Sequence, residues 1–156
     1  MTLVEDSLGW IQADFPGGFP SNLERVNRDD SDKLEGGIRS RKQDLARSNL
    51  VGVGSGRTNQ NAVGTEYEHK QNTTLSCRIE GLHQDQRGHI ADSDAFETLV
   101  RNIKLAILAH RKYPTTSTPA TYLSIFVENG RNDSKNYRDF YQYSFDIRFR
   151  GYDDVR

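Results

Sequence analysis

A chain of 156 residues supports one domain with a real core and falls short of two of ordinary size. Hydrophobic residues make up 34% of it and charged ones 28%, with a net charge of −1 and a mean hydropathy of −0.80, which is polar for a compact monomer and argues against bulk-charge attachment to nucleic acid. A lone Cys77 rules out an intramolecular disulfide framework or a thiolate metal cluster. The lack of an h-region, or of any run of ~18 apolar residues, points to a protein made in a cytoplasm that neither is exported nor spans a membrane.

The apolar residues concentrate after Leu75, so much of the first half reads as loop, arm or interface that becomes ordered only against neighbours. Thr2 followed by Glu5 is a capping-box pattern, and Leu3, Val4, Leu8 and Ile11 predict a short amphipathic helix from about Leu3 to Gln12. Phe15-Pro16-Gly17-Gly18-Phe19-Pro20 breaks it, with the two Phe side chains expected to plug a groove. Arg25 to Glu35 is nearly all charged and reads as a solvated loop. Arg39, Arg41, Lys42 and Arg47 then form a basic cluster relieved by Asp44, which is either an ordinary exposed segment or a contact for phosphate or an acidic partner. Gly52-Val53-Gly54-Ser55-Gly56 lacks both the Gly-Lys-Ser/Thr ending of a P-loop and the spacing of a dinucleotide fold. With the polar, Asn-rich residues up to Gly64 it predicts a flexible turn or mobile arm.

A strand signal begins near Thr65 and is clear from Thr73 to Leu82, where Leu75, Cys77 and Ile79 alternate with Ser76, Arg78 and Glu80; Cys77 sits on the buried parity as a core residue. His83 and His89 lie in the following loop at no recognised metal-ligand spacing. Phe96, Leu99, Val100, Ile103, Ala106, Ile107 and His110 recur at helical spacing and predict a long helix from Asp94 to Tyr113, with Asp94 as N-cap, Glu97 completing a capping box and Pro114 as stop. Leu105 and Leu108 lie off that stripe, a surplus of apolar surface that hints at an oligomer. Thr121 to Asn129 predicts a strand with Leu123, Ile125 and Val127 on one face, and Gly130 to Asn136 a polar hairpin loop. The return strand from Arg138 carries Tyr141, Tyr143, Phe145, Ile147 and Phe149 on one parity, a row that reads as core rather than a base-stacking platform. The elements together describe an α+β fold: a mainly antiparallel sheet packed against one long helix, with a short N-terminal helix and long polar loops. No nucleophile-base pair, cleft carboxylate pair, metal set or cofactor loop is marked, so no enzyme, metal or cofactor is expected.

This succession, and above all Tyr143-Ser144-Phe145-Asp146-Ile147-Arg148-Phe149, resembles the tail-terminator (tail-completion) proteins of tailed bacterial and archaeal viruses. The likeness rests on Leu75 to Leu82, Asp94 to Tyr113, Tyr122 to Asn129 and Tyr137 to Gly151; residues 27–64 depart from it as a longer polar insertion or arm within a single domain spanning 1–156. The resemblance implies a virion protein assembled in the host cytoplasm, six copies of which form a ring at the head-proximal end of the tail tube. Its partners would be other copies of itself, the tail tube protein and the head connector, with DNA passing through the lumen without sequence-specific binding. Such a ring needs heterologous contacts, for which Phe15, Phe19, Leu105, Leu108, Tyr141, Tyr143 and Phe145 are the candidates, with Arg39, Arg41, Lys42 and Arg47 as charged contacts. The alternatives are another head-to-tail connector (neck) protein, or a small nucleic-acid-binding module using 39–47.

Overall fold

The alternation read in the sequence at Leu75, Cys77 and Ile79 places β3 (Thr65–Leu82) at the centre of one five-stranded sheet, ordered β1-β2-β3-β5-β4. The computed structural model describes residues 2–63, 65–137 and 139–154, and of 57–63, 65–70, 153 and 154 the backbone alone. The other strands are β1 (Leu23–Asn27), β2 (Asn49–Val63), β4 (Thr121–Asn132) and β5 (Phe140–Asp154), and the helices are α1 (Leu3–Ala13), α2 (Ile38–Arg47) and α3 (Ser93–Leu108). Gly64 and Arg138, within segments read above as an arm and a strand start, lie outside the described residues. The fold is α+β, but the sheet is mixed: β1 runs parallel to β2, and every other pairing is antiparallel.

Register keeps two sets of side chains apart, because paired residues share a face. Cys77 lies between Val53 and Phe145, and Ile79 between Val51 and Tyr143, so one face is continuous and apolar. α1 and α3 both cover it, with Leu3, Val4, Leu8 and Ile11 from the first and Phe96, Leu99, Val100, Ile103 and Ile107 from the second. Each such buried side chain stabilises by about 1.5–3 kcal/mol. The opposite face carries a second, smaller core of Val26, Leu34, Leu45, Leu50, Leu82 and Phe140, roofed by α2 and by the segment before it. The sheet therefore packs against two helices on one side and a third on the other, rather than against one long helix.

Residues 27–63 are part of the folded domain, Asn27 and 49–63 as strand in this sheet and most of the stretch between as the layer packed over it. The expected solvated loop begins as β1 and buries Leu34, and the expected arm forms β2, paired along its length with β3. The glycines explain themselves here. Gly52 and Gly54 sit where the chain from Arg28 to Leu34 crosses the sheet; a Cβ on Gly52 would meet Leu34 Cδ1 at 2.4 Å and Arg28 Cγ at 2.8 Å. What resembles a nucleotide loop is a trough that lets a second layer pack down.

At α1 the expected cap holds: Thr2 Oγ1 accepts from the Glu5 N–H at 3.3 Å. α3 is capped two residues earlier than the spacing suggests, by Asp92, whose carboxylate accepts from the Ala95 N–H at 2.8 Å. It also stops at Leu108, short of Tyr113, because the next residues are drawn onto the edge of β4. There Ile125 N–H bonds the Arg111 carbonyl at 3.0 Å and Tyr113 N–H bonds the Leu123 carbonyl at 2.9 Å, with Tyr113 held at φ 47°. His110 is thus off the buried stripe; its ring stacks on Trp10 at 4.6 Å and its Nε2 meets Asp14 Oδ2 at 2.5 Å, tying the ends of α1 and α3 together.

β4 carries a bulge between Tyr122 and Ser124, and one extra residue reverses side-chain parity. Tyr122 and Ile125 are consequently both buried, and the expected inward set is right only from Ile125 onward. A second register shift between Glu128 and Arg131 lets β4 run on through the expected hairpin loop to Asn132. Among the described residues no helix is long and apolar enough to cross a membrane.

Candidate functional site

Helical spacing puts Glu97, Arg101, Lys104 and Leu108 on one flank of α3, the flank that overhangs β4 and β5 rather than α1. Beneath it runs a groove of about 440 Å³ with Phe96, Val100 and Tyr143 as floor and Arg101, Lys104 and Asn132 at its rim. Lys104 Nζ bonds the Tyr143 hydroxyl at 2.7 Å and lies 4.4 Å over that ring, a cation held on an aromatic face. Neither it nor Arg101 meets a carboxylate among the described residues. Leu105, next to the flank, is 42% exposed, and Leu108 is half-buried, so the two leucines read as surplus remain at the surface of the single chain. β4 is an edge strand. Arg111 to Tyr113 cover that edge as far as Ile125, whose N–H bonds the Arg111 carbonyl, and the two-residue period directs the N–H and C=O of Val127 to the same outer side, beyond the covered stretch.

The other interface candidates scatter. Tyr143 belongs to the groove, and Tyr141 is half-buried between Phe96 at 5.2 Å and His83 at 4.1 Å. Burial raises the Tyr141 pKa, with the Asp92 and Asp85 charges adding to it. Phe145 is 1% exposed and Phe15 7%; both belong to the chain's own core and leave no surface for a neighbour. The groove that the Phe15 loop plugs is thus internal, with Phe19 half-buried edge-on against Phe15 at 5.9 Å. Nor is β5 free to extend another sheet, being paired on both sides by β3 and β4.

The basic cluster folds as α2, whose sparse apolar content gives it only one buried aliphatic anchor, Leu45. One turn away on the same face, Arg41 is buried and bonds both carboxylate oxygens of Glu80 at 2.5 Å, with its guanidinium 5.0 Å over Tyr137 and 4.9 Å over Phe140. Burial works against the Arg41 charge, but the hydrogen bonds and charge of Glu80 outweigh it and the pKa is raised. Arg41 is therefore no contact for an outside partner. Lys42 is engaged with Asp139 at 2.9 Å, which leaves Arg39 and Arg47 exposed and removes half the charge on which a nucleic-acid surface would depend.

Of the two loop histidines, His83 lies tilted against the Tyr141 ring and His89 Nε2 meets the Arg47 carbonyl at 3.1 Å. No group of three or more potential metal ligands gathers among the described residues. Cys77 is fully buried on central β3, which pushes its thiol up to about 12; it is a packing residue, as its parity suggests. Sequence reasoning missed the Arg41–Glu80 pair and the Trp10–His110–Asp14 contact, each made across a long sequence separation with no local signal. No protein-family model matches this chain, and no curated protein does.

Proposed function

We propose that this chain is a structural subunit that closes into a ring at the head-proximal end of a viral tail tube, ending tube growth and joining tail to head connector, as the likeness to tail-terminator proteins implies. The observation that carries the reading is the flank of α3: an exposed Leu105, a half-buried Leu108 and an apolar groove beside the end of the β4 edge that Arg111 to Tyr113 leave uncovered, from Val127 onward. A helix whose core stripe is already satisfied gains nothing from these residues in a lone chain. Against a neighbour they bury apolar area, and an open edge offers main-chain pairing. A heterologous contact of that kind, repeated by rotation, closes a ring.

The two-sided sheet suits a load-bearing ring, since helices roof both of its faces and leave the flanks as the natural joints. Lumen and outer surfaces would be left to polar residues that do not read DNA sequence. Mass photometry and negative-stain imaging of the purified full chain test the proposal. Closed rings of uniform size are the expected result, and a strict monomer that is also absent from virus particles overturns it.

A further inference from the structure

The sheet has a second open edge, β1, on the side opposite β4. Over that edge lies a hollow of about 430 Å³ between α1 and β1, lined by Glu5, Leu8, Gly9, Arg25, Asn27 and Asp30. Gly9 has nothing within 4 Å of where a Cβ would stand, so the hollow opens directly onto the helix backbone. The Glu5 and Asp30 carboxylates meet no cation among the described residues, and both residues are exposed. The two flanks of one chain are thus complementary. One presents an apolar projection, Leu105, beside the cations Arg101 and Lys104, which meet no carboxylate among the described residues; the other presents a hollow beside carboxylates that meet no cation among them. Glu97 and Arg25 are the minority charges on each side.

Chain direction agrees. β1 is parallel to β2, and β4 is antiparallel to β5, itself antiparallel to β3; β1 and β4 therefore run in opposite directions. Copies set side by side with their sheets facing the same way bring the uncovered end of β4 of one, from Val127 onward, against β1 of the next in antiparallel sense, the stretch before it being held by Arg111 to Tyr113.

We infer that the joint is made by a second copy of this chain, docked head to tail. The α3/β4 flank of one copy (Arg101, Lys104, Leu105) seats on the α1/β1 flank of the next (Glu5, Gly9, Asp30). This rests on the ring reading and names its contact. The two flanks differ, so the contact is heterologous and propagates in one direction until rotation closes it. Complementary rim charges set register and exclude the head-to-head arrangement, in which like charges would face each other.

Charge reversal tests it on the full chain. Arg101→Glu alone, or Glu5→Arg with Asp30→Arg, is expected to weaken assembly about tenfold or more at low salt, while a chain carrying all three reversals recovers it. Folding is checked by circular dichroism, and each altered side chain is exposed. A second measurement needs no charge change: chains carrying Leu105→Cys are mixed with chains carrying Gly9→Cys under mild oxidation, with Cys77 silent in the core. Mixed disulfide dimers support the joint, and dimers of the Leu105→Cys chain with itself overturn it. A wild-type protein that never assembles removes the ring reading. Rings that form unchanged through the reversals remove this joint alone.

Discussion

The guanidinium of Arg41 reaches across from α2 to the carboxylate of Glu80 on β3, with Nε and Oε1 2.9 Å apart and Glu80 fully buried. Gln142 Nε2 adds a bond to Glu80 Oε2 at 3.3 Å, so the anion is satisfied from two directions. Removing one partner strands a buried charge, a loss of about 3–5 kcal/mol, whereas replacing both with apolar residues of like volume is often near neutral. Arg41→Met is therefore expected to lower the urea midpoint sharply, and Arg41→Met with Glu80→Leu to restore most of it. A double-mutant cycle with purely additive losses would show the pair to be uncoupled.

The glycines separate by what surrounds them. Gly9 stands in open space in the middle of α1, so Gly9→Ala should stabilise the single chain by about 0.5–1 kcal/mol through helix propensity. Gly52→Ala should destabilise it by about 1–3 kcal/mol, because the new methyl must displace the buried Leu34. Thermal unfolding of the two variants checks both signs. Gly9→Ala carries a second expectation: it partly fills the hollow on the α1/β1 flank, so the more stable monomer should assemble less well.

Where apolar residues kept a period, the elements were legible from sequence: α1, β3, the stripe of α3 from Phe96 to Ile107, though not its expected end at His110, and the aromatic row of β5 lie where their spacing places them. Residues 27–63 were not, because their signal is one of omission. Gly52 and Gly54 mark a packed layer by having no side chain, and Leu34 and Leu45 are single anchors too sparse to show a period. The bulge at Leu123 shifted parity within a strand that was otherwise correctly placed. Of the site, Leu105 and Leu108 were readable as surplus apolar surface. The acidic hollow was not, since Glu5 and Asp30 come to line one hollow only once β1 has joined the sheet.

Acid should loosen the layer that α2 and its preceding segment form. The Asp29 carboxylate accepts from the Ser55 hydroxyl at 2.6 Å and from the Ser55 N–H at 2.9 Å, and these bonds lower its pKa; the hydrogen bonds from Arg28 do the same for Glu35. A carboxylate depressed in the folded state contributes stability that is present above its unfolded value and is lost as pH falls through the folded one. Melting temperature should thus fall as pH drops below about 4. The deficit of Asp29→Asn relative to wild type, seen near neutrality, should close over the same window. Both groups are largely exposed, so solvent screening keeps the effect small. A deficit that persists unchanged in acid would assign the loss to shape rather than charge.

Cys77 offers a readout of the whole sheet. It sits on β3 between Val53 and Phe145, is fully buried, and has its thiol pushed up to about 12 by that burial. A thiolate is the reactive species, so both accessibility and ionisation oppose reaction in the folded chain. An aromatic disulfide reagent in mild base should therefore leave the native protein essentially untouched and label it in full once denaturant unfolds it. Because central β3 is paired on both sides, the opening that admits the reagent is expected to be global rather than local, and the labelling rate at low denaturant should track the unfolding free energy. Variants that weaken the sheet, such as Gly52→Ala, should raise that rate in proportion to their loss of stability. Gly9→Ala should lower it. Rapid labelling without denaturant would mean that β3 parts from β2 or β5 on its own, and that the central sheet is not the stable unit that its pairing describes.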